Sequence, residues 1–289
     1  MTNSVSIYDK KKRPGDMALL IVIYICAFLA VLLLVGIIGY VVYRGISVVD
    51  WQFISTAQSA LNETFGILPN IINTLYIIVI TLLIATPVGI GSAIYLTEYS
   101  KGGRLVRLIE FTTETLSGIP SIIFGLFGMV FFGTVLRLGF SILCGALTLT
   151  IMILPIITRT TQEALKTVPE SYRTGALGIG ATKWYMIRTI ILPSAMPGIV
   201  TGVILSIGRI VGESAALLFT AGSAFLMPNN WLTHPMTSGG TLTIQMYLSM
   251  TKAQYDNAFG IALVLIIIVL GINLLTKLLS RKLDVSRKS

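Results

Sequence analysis

Arg209 and Glu213 stand four residues apart in "GRIVGESAALLF", residues 208–219, within a long apolar run. A full charge near the centre of a bilayer costs about 2.5–3.5 kcal/mol on insertion scales, so such residues face a bundle interior or a wet path and find partners. Three chemistries fit the pair. It is a packing ion pair, a proton carrier with Glu213 as the titrating group, or a charged lining for an ion path. Buried pairs are weak devices for stability alone. Read as one helix, the order Arg then Glu is also the less favourable orientation at this spacing.

The surrounding chain sets the context. Of its 289 residues 54% are hydrophobic and only 11% charged, with a mean hydropathy of +0.86. A soluble domain would carry about 25% charge. The fold class is therefore an all-α membrane protein. Six runs are long enough to cross about 30 Å of hydrocarbon: Met17 to Tyr43, Ile71 to Tyr95, Leu116 to Leu136, Phe140 to Thr158, Gly198 to Phe219 and Ala258 to Leu279. The first is too long for a signal-peptide core and lacks a small-residue cleavage site, so it is expected to stay as an anchor. Counted from Gly198 at about 1.5 Å per residue, Arg209 lies about 16 Å deep, near the midplane.

Lys and Arg mark the cytoplasmic side. Lys10, Lys11, Lys12 and Arg13 precede the first run, and Lys101, Arg104 and Arg107 follow the second. Arg159, Lys166, Arg173, Lys183 and Arg188 follow the fourth, and Lys277, Arg281, Lys282, Arg287 and Lys288 close the chain. The opposite side holds Arg44, Arg137 and Lys252. Both termini are thus cytoplasmic, with tails at 1–16 and 280–289 around a transmembrane unit at 17–279. The net charge of +9 flanks apolar runs and forms no aromatic-studded polar face, which argues against nucleic acid. Cys26 and Cys144 both lie in apolar runs, and His234 is the only histidine. Neither a disulfide nor a metal or other cofactor is expected.

Between the runs, "ISVVDWQFI" is expected to bring Trp51 and Phe53 to the outer interface, and residues 220–257 read as a polar outer loop. Runs three and four are joined by a short outer turn around Arg137–Gly139 and must be antiparallel neighbours. The cytoplasmic stretch 159–193 is long for a helix–helix connection. It reads as two short helices, the first started by Pro169 and broken at Gly178 and Gly180, the second capped by Thr182. No Gly-x4-Gly-Lys-Ser/Thr loop occurs, and no catalytic constellation for hydrolysis. Uphill transport therefore needs a partner ATPase or an ion gradient, and no enzymatic activity is expected of this chain.

"GATKWYMIRTIILP" spaces Gly180, nine residues, Ile190, one residue, then Leu192-Pro193. That pattern resembles the second half of the EAA loop of ABC-importer permeases, the element that docks into the ATPase subunit. Extending the match back places Thr174, Gly175 and Ala176 on Glu-Ala-Ala, so the Glu is absent here. Glu170 or Glu163 could take its place. "SGIPSIIFGLFG" (117–128), "TLTIMILPIITRTTQEALKTVPESYR" (148–173) and "LSIGRIVGESAALLFTAG" (205–222) resemble the phosphate-uptake permeases, the PstA-type branch more than its PstC-type sister. The resemblance implies the six-helix architecture of a type I ABC importer permease. It also implies a PstC-type sister subunit, a PstB-type ATPase dimer and a PstS-type binding protein outside.

The resemblance further implies that Arg209 and Arg159 act on the substrate. A guanidinium matches phosphate bidentately, and Glu213 would neutralise Arg209 when the path is empty. Two rivals are a sulfate or molybdate permease of the same kind and a proton-coupled anion transporter. The EAA-like loop speaks against the second.

Overall fold

The computed structural model describes residues 14–59, 64–100 and 102–283. Lys10, Lys11, Lys12 and Arg13, Lys101, and Arg287 and Lys288 lie outside them. So do most of the two tails expected at 1–16 and 280–289.

Helix α1 (Pro14–Gly45) is apolar on every side and exposed for nearly its whole length. An outer hairpin follows: a short α2 (Trp51–Ser55), whose N-cap Asp50 accepts from the Phe53 amide, then strands β1 (Ala57–Ser59) and β2 (Thr64–Ile67), paired antiparallel. Helix α3 (Leu68–Ile94) and a π-helical turn at Tyr95–Tyr99 form the second crossing. Helix α4 (Arg104–Gly118) ends at Ile119-Pro120, and α5 (Ser121–Gly128) continues through a π-helical turn at Met129–Val135.

The fourth crossing is α6 (Ile142–Lys166). On the cytoplasmic side follow α7 (Glu170–Gly178) and α8 (Lys183–Met186), the latter joined through a π-helical turn at Ile187–Ile191 to α9 (Leu192–Val211). Helices α10 (Ala215–Thr220), α11 (Leu242–Thr251) and α12 (Tyr255–Leu283) complete the chain. Five helices among the described residues are long and apolar enough to cross a membrane, and the bent pair α4–α5 makes a sixth when it is counted as one span.

The core is built where α3, α6 and α9 pack together, around Ile77, Leu149, Ile153, Ile157, Ile207 and Leu217. Apolar attraction between helices is weak in lipid, so close packing and internal hydrogen bonds hold such bundles. Both are present. Gly125 lies against α10 so tightly that a Cβ there would sit 2.8 Å from the Ala216 Cα. Hydroxyls also bond between helices: Thr81 Oγ1 of α3 donates to the Ala146 carbonyl of α6 at 3.3 Å, and Thr74 Oγ1 accepts from the Leu242 amide of α11 at 3.0 Å. No water is needed for these groups.

Four local readings of the sequence are corrected by the fold. The third crossing does not run straight from Leu116, because the chain bends by 107° at Ile119-Pro120. Pro120 disfavours α conformation at the residue before it. The fifth is broken: α9 stops at Val211 and Gly212 caps it, so Glu213 lies between two helices. Phe53 is only 4% exposed, packed on Phe65 and against Gly260, and Trp51 alone of the pair faces outward. Residues 242–251 are no polar loop, since α11 buries Leu242, Thr243, Ile244, Gln245 and Ser249. The short turn at Arg137–Gly139 is present, with φ of 57° and 58° at its two ends.

Candidate functional site

The centre of the site is made by a helix end. In the last turn of α9, Arg209 extends toward Met152 on α6, its Nη2 4.0 Å from the Met152 Sδ. Met152 sits near the middle of α6, which places the guanidinium near the midplane. The guanidinium side chain is 48% exposed and the Glu213 carboxylate 7%, with 3.8 Å between Nη2 and Oε2. That separation exceeds hydrogen-bond range.

Glu213 is held by other partners. Its Oε1 accepts from the Ala216 amide at 3.1 Å, and its backbone carbonyl accepts from Thr243 Oγ1 at 3.0 Å. The carboxylate therefore serves a free amide at the start of α10, where anionic groups are favoured. The result is a fixed buried anion beside a half-exposed cation that keeps unsatisfied donors. Chemically, this is a cation able to take an oxyanion and fall back on a resident one.

Arg159 does not join them. It lies on α6 seven residues beyond Met152, about 10 Å further toward the cytoplasm. Its Nε is 3.7 Å from Glu163 Oε1, and both side chains are exposed. With Glu110, Glu114, Gln162 and Lys166 it lines a cavity of about 310 Å³ between α4 and α6. Arg159 and Arg209 thus occupy separate levels on one side of α6.

The cytoplasmic stretch resolves into three parts. α6 runs two turns past Thr158, to Lys166, and carries the chain out of the membrane. Helix α7 then ends in a Schellman turn: the Gly180 amide donates to Leu177 and the Ala181 amide to Ala176, with Gly180 at φ +86°. Glycine adopts that conformation without penalty. Thr182 then caps α8, its hydroxyl accepting from the Tyr185 amide, and α8 passes without a break into α9. Lys183–Val211 is one helix of 29 residues. Ile190 and Leu192 pack on a second cluster with Ala164, Leu165, Ile187 and Ile191, and Pro193 occupies the first turn of α9. Ala176 is buried in the same cluster, whereas Thr174 and Gly175 are exposed, the Thr174 hydroxyl turned back onto its own helix.

Two polar assemblies escaped sequence reading. At the inner end of α3, Glu98 is 4% exposed and receives Arg173 at 2.8 Å. The Glu98 hydrogen bonds raise the Arg173 pKa above its ordinary value. A lone carboxylate ending an apolar run, in "YLTEYSKGG", was the available signal. On the outer side His234 is buried, its Nε2 2.8 Å from Asn73 Oδ1, with Thr237 Oγ1 3.2 Å from Nδ1. Burial lowers the His234 pKa. Among the described residues no group of three or more His, Cys, Asp or Glu could hold a metal ion.

Comparison with known proteins adds to this geometry. The profile of the family described as "Binding-protein-dependent transport system inner membrane component" matches residues 85–288. The chain is 36% identical over 263 residues to the "Probable ABC transporter permease protein YqgI" of Bacillus subtilis, covering 86% of this chain and 90% of that protein. It is 34% identical over 256 residues to the "Phosphate transport system permease protein PstA" of Mycobacterium leprae, covering 85% and 82%. The protein of the same name in Haemophilus influenzae is 31% identical, with 88% and 90% covered. Among solved structures, a bacterial alginate ABC transporter in complex with an alginate pentasaccharide-bound periplasmic protein aligns at TM-score 0.69 and 18% identity, over 94% of this chain and 96% of that one. An inward-facing MetNI methionine ABC transporter aligns at TM-score 0.58 and 19% identity, over 73% and 93%.

Proposed function

The chain belongs to the family of binding-protein-dependent transport system inner membrane components, and from that premise we propose that it is one permease subunit of an ATP-driven phosphate importer. The membership itself makes it a multi-pass membrane protein of a bacterial inner-membrane ABC importer. It is the transmembrane component, and a partner ATPase hydrolyses the ATP. A gradient-driven carrier with Glu213 as proton carrier is thereby set aside.

The observation that carries the phosphate reading is the unequal exposure of Arg209 and Glu213. Delivered from outside, phosphate would meet a guanidinium with free donors, in the planar geometry that suits it. Glu213 competes for the same cation. The anion is then held and released in place of being trapped, as conduction requires. Arg159, at its lower level, would meet the anion on the way to the cytoplasm. Two relatives named as phosphate transport permeases support the cargo. A PstC-type sister subunit would complete the path, a PstB-type ATPase dimer would seat on α7 and α8, and a PstS-type binding protein would deliver from outside.

The test is labelled-phosphate uptake at low external phosphate in cells lacking their native copy, comparing this chain with Arg209→Ala at matched membrane levels. Restored uptake that is lost with Arg209→Ala is the expected result. Restoration by both reduces Arg209 to packing. Failure of the intact chain, present in the membrane, removes phosphate as cargo and turns the assay to sulfate and molybdate.

A further inference from the structure

Span two ends in a π-helical turn, Tyr95–Tyr99, and two neighbouring residues of that turn hold the cytoplasmic helices. Arg173 of α7 gives Glu98 three hydrogen bonds: Nη2 to Oε1 at 2.8 Å, and Nε to Oε1 at 3.1 Å and to Oε2 at 3.4 Å. Its remaining donors reach the Leu165 carbonyl at 2.9 Å, the Val168 carbonyl at 2.8 Å and Glu170 at 3.3 Å. All five guanidinium N–H groups are therefore engaged. One residue further on, the Lys183 ammonium of α8 lies 5.0 Å over the Tyr99 ring, within cation–π range.

These contacts bracket the turn at Gly180, one on α7 and one on α8. Little else holds α7. Ala176 is its one buried residue, while Tyr172 and Leu177 are about half exposed. A cavity of about 500 Å³, lined in part by Glu98, Arg173, Lys166 and Met186, separates the helix from the bundle beside the clamp. A push on α7 is thus not spread over a packed face. It passes through Arg173 into Glu98 and into the Leu165 carbonyl at the end of α6, or along the continuous helix from Lys183 to Arg209.

We propose that Glu98 and Arg173, seconded by Tyr99 and Lys183, form the joint that moves span two in the same stroke as span five. The inference rests on the reading of α7–α8 as the element an ATPase displaces. Glu98 and Arg173 are positioning residues in this account, since neither reaches the Arg209 site. The outer end of span two carries Asn73, the partner of His234, so the joint also links the cytoplasmic helices to the outer loop.

The test uses the assembled transporter, this chain with its partner subunits, in proteoliposomes. Glu98→Gln keeps the shape of the side chain and removes its charge. The expected result is an intact complex that hydrolyses ATP within about twofold of wild type while phosphate moved per ATP falls by about tenfold or more. Uptake and hydrolysis that fall together, in proportion to assembled complex, would overturn the proposal, as would an unchanged ratio. Tyr99→Leu weakens the second contact without stranding a buried charge, and is expected to lower the same ratio if Glu98→Gln fails to assemble. A readout free of cargo separates this joint from the phosphate reading. Spin labels at Leu83→Cys on α3 and Leu274→Cys on α12, both exposed, should change separation with ATP in the wild type and not in Glu98→Gln. A change that persists in Glu98→Gln sinks the joint, whatever the cargo proves to be.

Discussion

Glu213 lies 3.8 Å from Arg209, yet the two residues do not share a helix, because α9 ends at Val211 and Gly212 turns the chain between them. The break frees the carboxylate from a helical rotamer and lets it take the Ala216 amide at 3.1 Å. Were the helix unbroken, that amide would bond back along its own backbone and Glu213 would have only Arg209. The break therefore leaves Glu213 held by α10, and Arg209 half exposed beside it.

Glu213→Gln tests that arrangement. The amide side chain still accepts from Ala216, so the fold is expected to hold and membrane levels to stay constant. On the proposed phosphate path, Arg209 then loses its resident anion and would grip the passing one harder. Uptake should fall by about tenfold, which corresponds to about 1.4 kcal/mol of extra hold on the anion. Uptake equal to wild type at matched levels would show that Glu213 has no part in release.

Gly125 is the contact point of α5 with the Ala216 backbone. Gly125→Val forces branched bulk against backbone that cannot yield as a side chain would. Overpacking of this kind costs about 1–3 kcal/mol. A lowered melting temperature of the purified complex is expected. Gly118→Val has open space and should leave that temperature nearly unchanged.

Ile153 is completely buried between the helices of the core, whereas Leu83 on α3 is exposed on the outside of the bundle. Ile153→Ala should destabilise by about 2–5 kcal/mol, and Leu83→Ala by less than about 0.5 kcal/mol. Denaturation of the detergent-solubilised protein measures both. Equal losses would mean that the α3–α6–α9 packing is not the core.

His234 gives the outer loop a pH dependence whose sign follows from burial. The folded state lowers its pKa from the ordinary 6.5, so folding favours the neutral ring. The stability it contributes is complete above about pH 6.5 and is lost as the pH falls from there through the folded value. Amide-exchange protection in residues 221–241, corrected for the intrinsic pH dependence of exchange, should fall as external pH drops below about 6.5. His234→Gln, which can still donate to Asn73, should flatten that response.

Much of this protein was legible in one dimension. Six crossings, their direction and the placement of the cytoplasmic stretch follow from apolar length and from Lys and Arg. These are properties of the chain against lipid and water, and need no neighbouring helix. The same holds for the Gly180 turn and the Thr182 cap, whose partners lie within five residues.

The errors share a cause. A hydropathy window does not see where a helix stops inside the membrane, so the breaks at Pro120 and Gly212 passed as continuous spans. Phe53 reads as outer surface because α12, remote in sequence, helps bury it, and α11 because it is buried on α12 and α3 together.

What the sequence alone determined is how the chain sits in the membrane: an all-helical unit, both ends inward, with one arginine and one glutamate at depth. Solvent preference acts residue by residue, so it is written locally. Only the tertiary structure decided which polar side chains meet which partners. It sets Glu98 on Arg173 across 75 residues, His234 on Asn73 across 161 and Arg209 against Met152 across 57. Those meetings depend on how helices pack sideways, through contacts between residues that no local pattern pairs.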